Sequence, residues 1–209
     1  MAASNPDTAM PTMTFLRLPN DHTQGALPGA LTAKADVAQN DYAVGKVVET
    51  ISHSPVWADT AIFITEDDAQ DGPDHLDAHR TEALVISPYT EKSSPGAADR
   101  IDSTRYDTVS MLKTMELITG MQPMSQFDAA ATPMLATFND AAVLTPYTAL
   151  PPDPSIDGSV TAAAAVGAAE SSSLDFTTAD AAPSSVVNRI IWEATMPGRA
   201  YPATPGAHG

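Results

Sequence analysis

Between residues 66 and 79 the chain carries Glu66, Asp67, Asp68, Asp71, Asp74, His75, Asp77 and His79. Carboxylates this close raise one another's pKa, or they need a cation to hold them ionised. Adjacent carboxylates select hard cations such as Ca²⁺, Mg²⁺ or Mn²⁺, and added imidazole brings Zn²⁺ or Fe within range. A divalent ion held there would polarise a phosphoryl group as a Lewis acid and activate water or a hydroxyl as nucleophile. The cluster follows an apolar run, Ala61-Ile62-Phe63-Ile64-Thr65, that reads as a strand. In open α/β sheets ligands sit beyond the carboxyl ends of the strands. Place and chemistry together point to a metal or phosphate site. By residue type alone the cluster fits a solvated loop or a plain Ca²⁺ site equally well.

A second polar cluster, Asn20-Asp21-His22-Thr23, follows another apolar run, Met13 to Leu18. Taken alone, His22 reads first as a capping or surface histidine. His75 and His79 lie four apart and share a face only in a helix. Gly72, Pro73 and Asp74 favour a loop instead, which ranks His75 above His79. Arg80 reads first as a salt-bridge partner of these acids. No G-x-S-x-G elbow and no Gly-rich phosphate loop occurs in the sequence.

The elements that must position these residues follow from periodicity. Met13–Leu18, Ala61–Thr65 and Glu82–Ser87 read as strands. Val37, Tyr42, Val44, Val47, Val48 and Ile51 recur at helical spacing, with Asp36 as N-cap and an end near His53-Ser54-Pro55. His53 suits the negative end of that helix. A second helix spans Asp107 to Thr119, with Val109, Leu112, Met115 and Ile118 on one face and Gly120 as C-cap. The methionines at 111, 115, 121 and 124 read as core. This order of elements suggests an α/β architecture. After Asn139 the composition shifts to Ala, Pro and Ser, which fits helix, linker or disorder. Val186 to Thr195 reads as a short amphipathic helix docking through Ile190, Ile191 and Trp192. The last thirteen residues read as mobile.

Composition narrows the partners. The 209 residues carry 26 acidic against 10 basic side chains, a formal net charge of −16. That balance opposes binding to nucleic acid or to an anionic membrane surface. With no cysteine there is no disulfide, zinc–thiolate site or thiol nucleophile. No apolar run approaches the ~18 residues of a membrane span. The N-terminal residues lack the basic and apolar regions of a signal peptide. An Asp-rich, Lys-poor surface fits a salt-tolerant or extracellular protein and equally an acidic bacterial one.

Three segments, TFLRLPNDHT (14–23), the block from Asn40 to Tyr89, and STRYDTVSMLKTMELITGMQPM (103–124), carry a resemblance. They resemble the bacterial phosphoesterase family of phospholipases C and acid phosphatases, in the alkaline-phosphatase-like superfamily. The branch is the one often attached to YVTN-type β-propellers, and residues 173–194 also resemble it. The resemblance implies an α/β/α sandwich with its site at the carboxyl edge of the sheet. It implies hydrolysis of a phosphomonoester or a phosphodiester such as a phospholipid headgroup, with a divalent metal ion as cofactor. Asp67 and Asp68 then correspond to metal ligands, and His75 to a ligand or phosphate contact. The element at Asn20-Asp21-His22-Thr23 puts His22 in the site, and Asp21 and His79 join the metal-ligand candidates.

The chain departs from the family pattern where Glu66 replaces a tyrosine, Asp68 a glutamate, and Gln70-Asp71 a pair of glycines. The family's N-terminal metal motif and its Ser or Thr nucleophile have no counterpart in the first twelve residues. The expectation is therefore the C-terminal part of a catalytic domain over 13–139, followed by a tail over 140–209. Its implied partners are the missing N-terminal half or a β-propeller, and its implied location is extracellular or periplasmic. The alternative is a non-catalytic remnant that binds a cation or a partner.

Overall fold

The computed structural model describes residues 10–19, 22–66, 81–90, 101–178 and 181–202. Helix α1, Ala33–Ser52, is the longest element. Its N-cap is Thr32, whose hydroxyl accepts from the Ala35 N–H at 3.2 Å. The expected cap, Asp36, lies one turn inside the helix and is buried. The reason is non-local. Thr32 is held from outside the helix, its N–H donating to the Ser159 carbonyl and its hydroxyl meeting Ser159 Oγ at 2.9 Å. Burial pushes the Asp36 carboxyl above its ordinary pKa. The Thr23 hydroxyl beside it offsets part of this, although that contact falls short of a formed hydrogen bond. Helix α1 buries Ala35 and Val48, while Val37, expected on its apolar face, is exposed. At the other end His53 is the C-cap, and its Nδ1 lies 2.8 Å from the Glu49 carbonyl.

A one-turn 3₁₀ helix, Trp57–Asp59, buries Trp57 edge-on against Tyr147. The chain then enters strand β1, Ile62–Thr65, which pairs antiparallel with β2, Ala83–Ile86. The register runs from Ile62 opposite Ile86 to Thr65 opposite Ala83. Among the described residues the sheet has these two strands alone. Residues 13–18, expected as a strand, form no strand, and Phe15 and Leu16 are exposed. Apolar alternation is a strand signal only where a neighbouring strand accepts the backbone bonds. The coarse class, helices with a small sheet, is as expected. No described strand extends the pair into the open sheet of a sandwich.

Helix α2, Thr108–Thr119, is bounded as its sequence predicts. Asp107 and Ser110 form a reciprocal capping box, and Gly120 closes the helix in the left-handed region at φ 72°. Its buried residues are Ser110, Met111, Thr114 and Glu116, whereas Ile118 is exposed. Polar side chains enter this face because they serve the backbone. The Thr114 hydroxyl donates to the Ser110 carbonyl and accepts from the Met134 N–H. Helix α3, Gln126–Ala130, follows, capped by Ser125.

Residues beyond 139 are tied back onto the earlier ones. The Val143 N–H donates to the Pro88 carbonyl, and the Tyr147 N–H to Ser52 Oγ. Val160 bridges Leu31 in antiparallel fashion. The alanine run at 162–165 forms turns rather than a helix. Helices α4, Ala168–Ser171, and α5, Ser184–Thr195, complete the chain. Ile190 of α5 is fully buried beside Gly25, Ala26 and Gly167, so this helix docks as its amphipathic pattern predicts. The Trp192 indole donates to the Arg199 carbonyl and stacks edge-on against Tyr201, which ties residues 199–201 to α5.

Candidate metal and phosphate site

The site expected from the sequence is a loop, and the sheet determines where that loop begins and ends. Strand β1 is apolar through Ile62, Phe63 and Ile64, and becomes exposed at Thr65 and Glu66. Strand β2 begins at Ala83, directly opposite Thr65. The two ends of the acidic segment are therefore adjacent across one antiparallel rung, about 5 Å apart. The segment thus connects two paired antiparallel strands, a hairpin connection rather than a crossover between parallel strands. Its mouth is described on both sides. The Thr81 hydroxyl donates to the Glu66 carboxylate across the opening, and the Thr65 hydroxyl reaches the Glu82 carbonyl at 3.5 Å. Phe63 packs against Phe138 at 6.4 Å, which anchors the strand that leads into the loop.

Asp67, Asp68, His75 and His79 lie outside the described residues, as do Asp21 and Arg80. Among the described residues no group of three or more potential metal ligands occurs. His22 is described and exposed. The backbone on either side of it is anchored. Asn40 of α1 donates to the Pro19 carbonyl at 2.9 Å, and the Ala26 N–H donates to Ser171 Oγ at 2.9 Å. No described hydrogen bond or ion pair joins His22 to the hairpin mouth at Glu66 and Thr81.

A cavity of about 390 Å³ lies elsewhere, between the start of α1, residues 155–166 and the end of α5. Its charged lining residues are Lys34 and Glu193, and neither strand contributes to it. One cation opposite one carboxylate is not a donor set for a divalent ion. This cavity therefore lacks the donor set that a divalent ion requires.

A comparison with known proteins finds no matching family model, no matching curated protein and no matching solved structure.

Sequence reasoning missed a second acidic pair, Glu116 and Asp128. Both carboxyl groups are buried, at 3 % and 1 % exposure, and they approach each other between α2 and α3. The signal was present as an Asp three residues after Ser125, a capping spacing. Its pairing with Glu116 depends on how α3 folds back, which no local pattern encodes.

Proposed function

We propose that this chain is a metal-dependent phosphoesterase domain that hydrolyses a phosphomonoester or phosphodiester through the acidic hairpin loop. The observation that carries the reading is the rung between Thr65 and Ala83, which closes the ends of the acidic segment upon each other. A loop clamped at its mouth loses less entropy when its side chains converge on one ion than a free segment does. In this reading Asp67, Asp68 and Asp21 hold the metal, His75 or His79 completes its coordination, and His22 contacts the phosphate. The bound ion would supply charge neutralisation at the phosphoryl group. Glu66, bridged to Thr81, keeps a further carboxylate at the rim, where it opposes entry of anions unless a cation is bound.

The test is hydrolysis of a chromogenic phosphomonoester and a phosphodiester by the purified chain, with and without Ca²⁺, Mn²⁺, Zn²⁺ and Mg²⁺. The expected result is metal-dependent turnover that an Asp67→Ala/Asp68→Ala variant lacks, together with lost metal binding by calorimetry. Unchanged metal affinity in that variant overturns the ligand assignment.

A second reading, a non-catalytic module that binds a cation and a partner, draws on the sheet. The pair β1–β2 has no further described strand on either side, and a two-stranded sheet is marginal by itself. Leu84, Phe127, Leu144 and Leu150 are exposed. Strand edges that no described strand covers, with an exposed Leu84 on β2, suit addition of strands from another chain. Saturable metal binding without turnover by the folded chain would favour this second reading.

A further inference from the structure

The joint between α2 and α3 is built around two buried carboxyl groups. Glu116 stands in the last turn of α2, where no basic residue is present. An ionised carboxylate there faces the negative end of the helix dipole. Asp128 of α3 accepts from the Met124 N–H at 2.7 Å, from the Ser125 N–H at 2.7 Å and from the Ser125 hydroxyl. Those bonds suit an ionised Asp128, since each donor points at an oxygen. Glu116 Oε1 shares the Met124 N–H at 3.3 Å, while its Oε2 is buried without a hydrogen-bond partner. Of the described charged groups, those that face Glu116 are Asp128 from α3 and Lys113 from its own helix. The Lys113 ammonium stands 4.0 Å from Oε2, at the limit of an ion pair. Two ionised carboxylates in contact and out of water would repel with little compensation.

We propose that Glu116 and Asp128 share a single proton, and that this proton is a pH-sensitive fastener holding α3 against α2. Glu116 carries it and donates toward Asp128. When the proton leaves, two like charges remain in one buried contact. The turn at 121–125 and helix α3 then detach, while the rest of the fold persists.

The titration directions agree with this geometry. The contact with Asp128 and burial raise the Glu116 pKa, whereas the Ser125 hydroxyl and the backbone donors hold Asp128 well below the usual carboxylate range. A raised acid stabilises the fold fully below its ordinary pKa of 4.5, and that contribution is lost as pH rises through its folded value. A depressed acid contributes fully above its ordinary pKa of 3.8, and its contribution is lost as pH falls through its folded value. The joint is therefore tightest near pH 4 and loosens as pH rises through the folded pKa of Glu116.

Amide hydrogen exchange on the full chain, expressed as protection relative to intrinsic exchange, tests this across pH 4 to 8. Protection of the Met124 and Ser125 amides should fall as pH rises, by up to about tenfold for each unit by which the Glu116 pKa is raised. Amides of α5 serve as the internal control and should not follow. Glu116→Gln keeps a donor that cannot ionise, so its protection at Met124 and Ser125 should be flat over the same range. An NMR titration of the Glu116 carboxyl carbon in the unmodified protein decides the matter even if that variant does not fold. A Glu116 midpoint at or below its ordinary value overturns the proposal. So does a wild-type profile at Met124 that Glu116→Gln reproduces, or that α5 follows in parallel.

Discussion

Gly167 and Ile190 show how closely single atoms are set in this fold. Gly167 sits at φ 79°, and a methyl group added there would meet Ile190 Cγ2 at 2.6 Å. Ile190 is fully buried and belongs to a helix interior, so it cannot withdraw without cost. Gly167→Ala should destabilise the protein by about 2–4 kcal/mol, combining the left-handed backbone penalty with overpacking. Urea unfolding measures this, and a loss under 1 kcal/mol would mean that the α4–α5 contact yields more readily than a close-packed interior does. At Asp36 the sign depends on pH. Its raised pKa means that its charge opposes folding at neutral pH and that this opposition fades as pH falls. Asp36→Asn should therefore raise the melting temperature at pH 7 relative to wild type, with the gain shrinking as pH is lowered through the folded pKa.

At the scale of elements, what the sequence made legible was local. Asp107 and Gly120 bound α2 because both act within one turn of the chain. Asp107→Ala should cost about 1 kcal/mol, read as a lower urea midpoint with an unchanged slope. The start of α1 was less legible. Thr32 and Asp36 both satisfy the N-cap preference, and only the contact with Ser159 selects Thr32. Residues 13–18 carry strand-like residues but no described strand beside them, since strand formation needs a partner that lies elsewhere in the sequence. The candidate site divides in the same way. Carboxylate and imidazole types between 66 and 79 were visible at once, and so was the strand that leads to them. That this strand returns antiparallel through Ala83–Ile86 was not, because hairpin and crossover connections of that length leave similar patterns.

For the whole molecule, activity and association are separable. If the hairpin loop is the catalytic site, turnover should require divalent metal and should vanish in the Asp67→Ala/Asp68→Ala variant with the fold intact by circular dichroism. If the edges of the β1–β2 pair take up another chain, light scattering should show self-association that rises with protein concentration, and Leu84→Lys on β2 should reduce it. The acidic surface works against that association at low ionic strength, because a net charge of −16 repels a second copy. Added salt should favour it.

The bridge between Leu31 and Val160 has a consequence in time. The start of α1 is completed by residues translated long after it, and Ala26 waits for Ser171 before its N–H is satisfied. A growing chain therefore cannot close this part of its interior until residues 160–171 have been made. Contacts of such separation demand a large loop closure before they return any stabilisation, and they slow folding accordingly. Until then the apolar face of α1 stays open to whatever else is nearby. A chain cut after residue 139 would be arrested at that stage, with α1 formed in outline and its interior side uncovered. Its fate would depend on how quickly a chaperone or protease reached it.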